Sequence, residues 1–132
     1  MNYVFRKARI LIVEDQRIIA LDLASTIRRV GHDAIGIESK GEKAIKTAEA
    51  LKPDLIFMDI SLAGDLDGIE TAKIIKEKLK IPVIYISGNY DNSTIEKSKS
   101  AKAYGYLIKP IEDCDISTII NAVIYRFDSE NC

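Results

Sequence analysis

Apolar residues gather into short runs at 9–13, 34–37, 55–58, 83–86 and 104–108, each closed by charged or turn-forming residues. Four of the five are rich in Ile, Val, Leu or Tyr, and runs of this length predict buried strands. Between them the period lengthens to that of helices. Ile19, Leu23, Ile27 and Val30 mark one amphipathic segment, Ala44, Ala48 and Leu51 a second, and Ile69, Ala72, Ile75 and Leu79 a third. The clearest is the last: Ile116, Ile119, Ile120, Val123, Ile124 and Phe127 form one apolar face, which a neighbour must cover. Gly31 stops the first helix, and Pro53 and Pro82 stand just before strands, where a helix cannot continue.

Strand and helix thus alternate five times along the chain. Right-handed βαβ crossovers follow, and with them an α/β fold with a doubly wound parallel sheet covered on both faces. The segment "DNSTIEKSKSAKA" at 91–103 fits this pattern least well, because Ile95 is its only large apolar residue. As a fourth helix it is expected to be the most weakly held element. No repeat or linker interrupts the pattern, so one domain is expected over residues 5–127, with the last helix ending near Phe127 and a short tail at 128–132.

Composition narrows the function classes. The 132 residues are 47% hydrophobic and 30% charged, an ordinary globular balance. A net charge of −1 provides no field for nucleic acid or anionic lipid, so neither direct nucleic-acid binding nor membrane attachment is expected. No apolar run reaches the roughly 18 residues of a membrane span, and "MNYVFRKAR" is too short and charged for a secretory signal, so a cytoplasmic location is expected. Cys114 and Cys132 show neither disulfide nor zinc spacing. His32, just after the Gly31 stop, reads as a solvated turn residue, and as the only histidine it leaves no second site for a phosphohistidine carrier.

Candidate chemistry gathers where the strands end. The first strand runs into Glu14-Asp15, the third into Asp59, the fourth into Ser87 and the fifth into Lys109-Pro110. In open α/β sheets functional groups collect outside these carboxyl ends, so the residues are expected to share one rim. Three carboxylates so close repel one another, and a hard divalent cation such as Mg²⁺ (or Mn²⁺) removes the conflict, usually with phosphate oxygens completing its shell. A carboxylate can also act as a nucleophile and form an acyl phosphate. In such a centre Lys109 contributes fixed positive charge and Ser87 a hydroxyl donor. Glu14 and Asp15 therefore read as metal ligands.

The stretches "ILIVEDQ", "PDLIFMDISLAGDLDGIE", "IPVIYISG" and "YGYLIKP", in this order and spacing, resemble the receiver (REC) domain of two-component response regulators over essentially the whole chain. The resemblance implies a flavodoxin-like or CheY-like sheet of order 2-1-3-4-5. It implies that Asp59 accepts a phosphoryl group from a sensor histidine kinase or phosphotransfer protein. Glu14, Asp15, Asp59 and the backbone carbonyl of Ser61 would hold Mg²⁺, with Lys109 pairing with the phosphoryl group. Ser87 and Tyr106 would be the switch residues, and the Lys109–Pro110 peptide would be cis. The implied function is a phosphorylation-dependent signalling switch, not a turnover enzyme. Its output surface would comprise the 91–103 segment, the fifth strand and the last helix, acting on a downstream protein or a fused output domain. The same face offers a route to a phosphorylation-dependent homodimer.

The chain departs from the common family pattern after Asp59, where Ala63 replaces a usual proline and Asp67-Gly68 comes one residue late. The loop is therefore expected to have its own shape. Gly88, where alanine is frequent, adds backbone freedom. Ser61 and Asn89 occupy positions that tune hydrolysis in the family. An aspartate-nucleophile phosphatase would need an acidic residue where Ser61 stands, and a flavin carrier would need a phosphate loop in place of Glu14-Asp15-Gln16. Asp65 and Asp67 lack the ligand pattern of a calcium loop. A pseudo-receiver acting purely as a protein-docking module is the alternative that the motifs leave open.

Overall fold

Strands that bury both faces need no polar alternation, and the central runs of this chain have none. The structure, a computed structural model, describes residues 6–62, 64–88, 104–109 and 111–131. Its elements are β1 (Arg9–Val13), α1 (Arg17–Arg29), β2 (Asp33–Glu38), α2 (Gly41–Leu51), β3 (Leu55–Asp59), α3 (Gly68–Leu79), β4 (Val83–Ser87), β5 (Gly105–Ile108) and α4 (Asp113–Glu130). The strands pair in parallel in the order β2-β1-β3-β4-β5. All residues of β3 and β4 are buried, and so is β1 after Arg9, whereas the edge strands β2 and β5 are mostly half-buried. The sheet order and class are those implied by the sequence.

Side-chain alternation divides the core into two layers. Ile10, Ile12, Phe57, Ile84 and Ile86 face α1 and α4, meeting Leu23, Ile27, Ile116, Ile120 and Ile124. Leu11, Val13, Ile56, Met58 and Tyr85 face α2 and α3, meeting Ala44, Ala48, Ile69 and Ile75. Register carries this division across the sheet, since Ile12 lies beside Phe57 and Phe57 beside Ile84. Leu51 departs from the expected pattern: it ends α2 and is 39% exposed, so Ala44 and Ala48 carry the contact of that helix. Lys52 and Lys80, both left-handed, close α2 and α3 one and two residues before Pro53 and Pro82.

Two further expectations are corrected. The last helix continues past Phe127 to Glu130, so most of the expected tail is helical. Glu130 accepts hydrogen bonds from the Tyr104 hydroxyl at 2.6 Å and Arg126 at 2.9 Å, tying the added turn to the start of β5. His32 is buried, not solvated. Its Nδ1 accepts from the Ala8 backbone N–H at 2.9 Å, joining the α1–β2 turn to the residue before β1. The 91–103 segment with Ile95, together with Ala63, Asn89, Pro110 and its peptide, and Cys132, lies outside the described residues.

Burial lowers the His32 pKa from its ordinary 6.5, against opposing pulls from the Asn121 side chain on α4 and from Asp33, with Lys7 adding to the lowering. The unfolded chain therefore takes up this proton more readily. The stability contributed by neutral His32 is complete above about pH 6.5 and is lost as pH falls below it. Native chain and His32→Gln, compared by thermal unfolding between about pH 7.5 and 5.5, should show the native protein losing stability relative to the variant on acidification. A difference that does not change with pH contradicts this assignment.

Candidate functional site

The strand order reverses between β1 and β3, and the carboxyl ends of these neighbours open a crevice at that reversal. Glu14 follows β1, fixed by its backbone N–H to the Glu38 carbonyl at 2.9 Å and by the Gln16 N–H to its Oε1 at 3.1 Å. Asp15 beside it is exposed. Asp59 is the last residue of β3, 5% exposed, and its Oδ1 accepts from the Ser61 N–H at 3.0 Å. Carboxylate oxygens of Glu14, Asp15 and Asp59 all lie within 4.8 Å of one another.

Hydrogen bonding between the next strands brings up the remaining candidates. Ser87 ends β4, fully buried, one residue beyond the partner of Asp59 in register. The Lys109 backbone N–H donates to the Ser87 carbonyl at 2.8 Å. The Lys109 ammonium then reaches back across the crevice to Glu14 Oε2 at 3.3 Å. Tyr106 pairs with Tyr85 in register and packs against the layer shared with α2 and α3. Its hydroxyl is buried with no hydrogen-bond partner among the described residues. Ser61 makes its contact through its N–H, an anchor for Asp59 that sequence reasoning missed.

Electrostatics show the cost of this convergence. Burial, with the neighbouring charge of Asp59 adding to it, pushes Glu14 from 4.5 up to about 7, although the Gln16 N–H and Lys109 pull it down. One ammonium does not neutralise three carboxylates. An all-oxygen anionic set with water access through the exposed Asp15 fits a small hard cation, and Glu14, Asp15 and Asp59 are the side chains that would hold it.

Two residues outside the sequence-derived set also shape the site. Glu38 supplies the carbonyl that holds the Glu14 backbone, and its carboxylate accepts from Thr47 at 2.6 Å. Gly68 starts α3 directly against Asp59: a Cβ there would collide with the Asp59 carbonyl oxygen and lie 3.0 Å from Ile60 Cα. The "DGIE" stretch signals the helix start, since Asp67 caps the Glu70 N–H at 2.8 Å. The close approach itself has no local signature.

Comparison with known proteins identifies the family. The model of the response regulator receiver domain matches residues 10–121. The chain belongs to the response-regulator receiver family. The transcriptional regulatory protein PdtaR of Mycobacterium tuberculosis is 34% identical over 119 residues, covering 90% of this chain and 58% of that protein. The phyllosphere-induced regulator PhyR of Methylorubrum extorquens is 30% identical, over 88% of this chain and 43% of its own length. The receiver chain therefore spans about half the length of these relatives. Among solved structures, the signal receiver domain of a modulated diguanylate cyclase from Desulfovibrio desulfuricans G20 superposes with a TM-score of 0.90 at 34% identity, covering 95% of this chain and 99% of that one. No described helix is long and apolar enough to cross a membrane.

A carboxyl group raised above its ordinary pKa binds its proton more tightly when folded. Without a cation, the contribution of Glu14 to stability is therefore most favourable below pH 4.5 and is lost as pH rises through about 7. At about pH 8 without divalent cations, Glu14→Gln should unfold at a higher temperature than the native chain, and millimolar Mg²⁺ should reverse the order. Thermal melts with and without Mg²⁺ check this. A native chain at least as stable as the variant without cation contradicts it.

Proposed function

We propose that this receiver domain is a phosphorylation-dependent signalling switch with Asp59 as phosphoryl acceptor. The observation that carries the reading is the placement of Asp59: a buried carboxylate within 4.8 Å of two others at the sheet's reversal point, one of which, Glu14, is reached by the Lys109 ammonium at 3.3 Å. A structural acid would not need that company. The phosphoryl donor is a phosphohistidine on a sensor kinase or phosphotransfer protein, and the downstream target is a partner protein or a fused output domain.

In the proposed reaction an Asp59 carboxylate oxygen attacks phosphorus, the phosphorus–nitrogen bond breaks, and its electron pair leaves on the donor imidazole. The product is an acyl phosphate on Asp59. The Ser61 N–H to Oδ1 bond fixes the plane of the attacking carboxylate. Lys109, now 3.3 Å from Glu14, turns its ammonium to pair with the phosphoryl oxygens as they arrive. The Ser87 hydroxyl, one residue beyond the register partner of Asp59, donates to the same group. Glu14, Asp15 and Asp59, with the Ser61 carbonyl that the family resemblance implies, would hold a Mg²⁺, which would supply neutralisation of the charge shared by carboxylates and phosphoryl oxygens.

The added charge of roughly −1.5 to −2 must be accommodated by neighbours that can move. Tyr106 is one, because its buried hydroxyl gains from finding a partner. Movement of Ser87 and Tyr106 alters the surface around β5 and α4, which is the proposed output face. The chain works on its own acceptor and turns over no external substrate.

Intact mass after incubation with acetyl phosphate and Mg²⁺ tests the reading. One added phosphoryl group is expected on the native chain and none on Asp59→Asn. No gain under conditions that modify a control receiver would overturn phosphotransfer in favour of a docking module. Lys109→Gln should gain phosphate on the order of a hundredfold more slowly, as expected when one preorganised charge donor is removed. Stopped-flow or quenched time courses measure that ratio, and an unchanged rate contradicts the role given to Lys109.

A further inference from the structure

Gly41 begins α2, and its nearest neighbours belong to the segment that follows Asp59. A Cβ at this position would collide with the Thr71 hydroxyl on α3 and lie 3.0 Å from Leu66 Cβ and 3.2 Å from the Leu66 carbonyl oxygen. Gly41 is buried, and its backbone is not in the left-handed region. Space, not conformation, therefore calls for glycine.

Thr71 cannot readily yield. It is fully buried, and its hydroxyl donates to the Asp67 carbonyl at 2.7 Å. Rotating the side chain away would strand a buried hydroxyl. On its other side the first turn of α3 meets Asp59 through Gly68, where a Cβ would lie 2.9 Å from the Asp59 carbonyl carbon. This turn is thus wedged between the start of α2 and the backbone of Asp59, with a glycine admitting it on each side. The longer loop after Asp59 passes through the same wedge at Leu66.

We propose that Gly41 is a positioning residue for the Asp59 site, acting through Thr71, Leu66 and the first turn of α3. The inference rests on the reading of Asp59 as the acceptor in a cation-dependent site. A methyl group at position 41 displaces α3 toward Asp59, where packing leaves no slack, and shifts the Asp59–Ser61 segment against Glu14 and Asp15. Gly41 touches none of the three carboxylates. Its influence is read in how well they converge on a cation.

The test uses the full chain and Mg²⁺ itself. Isothermal titration should give Gly41→Ala an affinity about tenfold weaker than native, the low end of what loss of an outer-shell partner costs. The double variant Gly41→Ala/Thr71→Ala should recover most of the way to the affinity of Thr71→Ala alone, because the colliding hydroxyl is gone and only the Leu66 contacts of 3.0 and 3.2 Å remain. General loss of stability would not produce that rescue. Amide NMR of the native chain offers a mutation-independent reading if Gly41→Ala does not fold: Mg²⁺ should shift Gly41, Leu66 and Thr71 together with Asp59 and Ser61. Native-like affinity in Gly41→Ala, absence of rescue, or silent Gly41 and Thr71 amides would overturn the inference while leaving the Asp59 reading intact. Absence of any Mg²⁺ response at Glu14, Asp15 and Asp59 in the native chain would overturn both.

Discussion

Mutual repulsion among Glu14, Asp15 and Asp59 is the constraint around which the rest of the structure is arranged. Two adjacent parallel strands end in carboxylates whose oxygens fall within 4.8 Å of one another, and two of the three residues are buried. Hydration cannot offset such an arrangement, and Lys109 neutralises only part of it. Burial and the charge of Asp59 hold Glu14 in a range where it binds a proton near neutrality, so the site is poised to exchange that proton for a better counter-charge. In the proposed switch a divalent cation would offset the carboxylates, and a phosphoryl group on Asp59 would draw Lys109 away from Glu14.

The scaffold tolerates this tension because its apolar layers are extensive on both sides of the sheet. β1, β3 and β4 supply continuous buried surface, and α1 with α4 covers one face while α2 with α3 covers the other. The helices also constrain one another. Arg29 near the end of α1 grips Asp113 at the start of α4 with two hydrogen bonds of 2.9 and 3.0 Å. The first turn of α3 sits between α2 and Asp59. At the opposite end, His32 and the Tyr104–Glu130 pair tie the strand starts to neighbouring turns and to α4.

Much of the fold was legible because it is written in local periodicity. The buried strands announce themselves as unbroken runs such as Ile10–Val13 and Leu55–Met58, and the face of α4 follows from the spacing of Ile116, Ile120 and Ile124. Glu14, Asp15, Asp59, Ser87 and Lys109 were legible as candidates because each terminates such a run. What escaped depends on contacts between residues distant in sequence. His32 looks like a turn residue until the Ala8 N–H is brought to it, and Leu51 belongs to the helical pattern yet lies at a helix end with little to cover it. The extra turn of α4 is held by Tyr104, far from it in the chain. Gly41 and Gly68 resemble any glycine at a helix start until Thr71 and Asp59 are placed against them.

In the proposed switch the crowded carboxylate at the end of β3 becomes an acyl phosphate. Borohydride reduction after exposure to acetyl phosphate and Mg²⁺, followed by peptide mapping, reads that bond directly, because hydride reduces the activated carbonyl carbon and releases phosphate. Homoserine is expected at position 59, formed only when Mg²⁺ is present. Unreduced aspartate at that position in a chain that has gained phosphate, or homoserine at another aspartate, would contradict it.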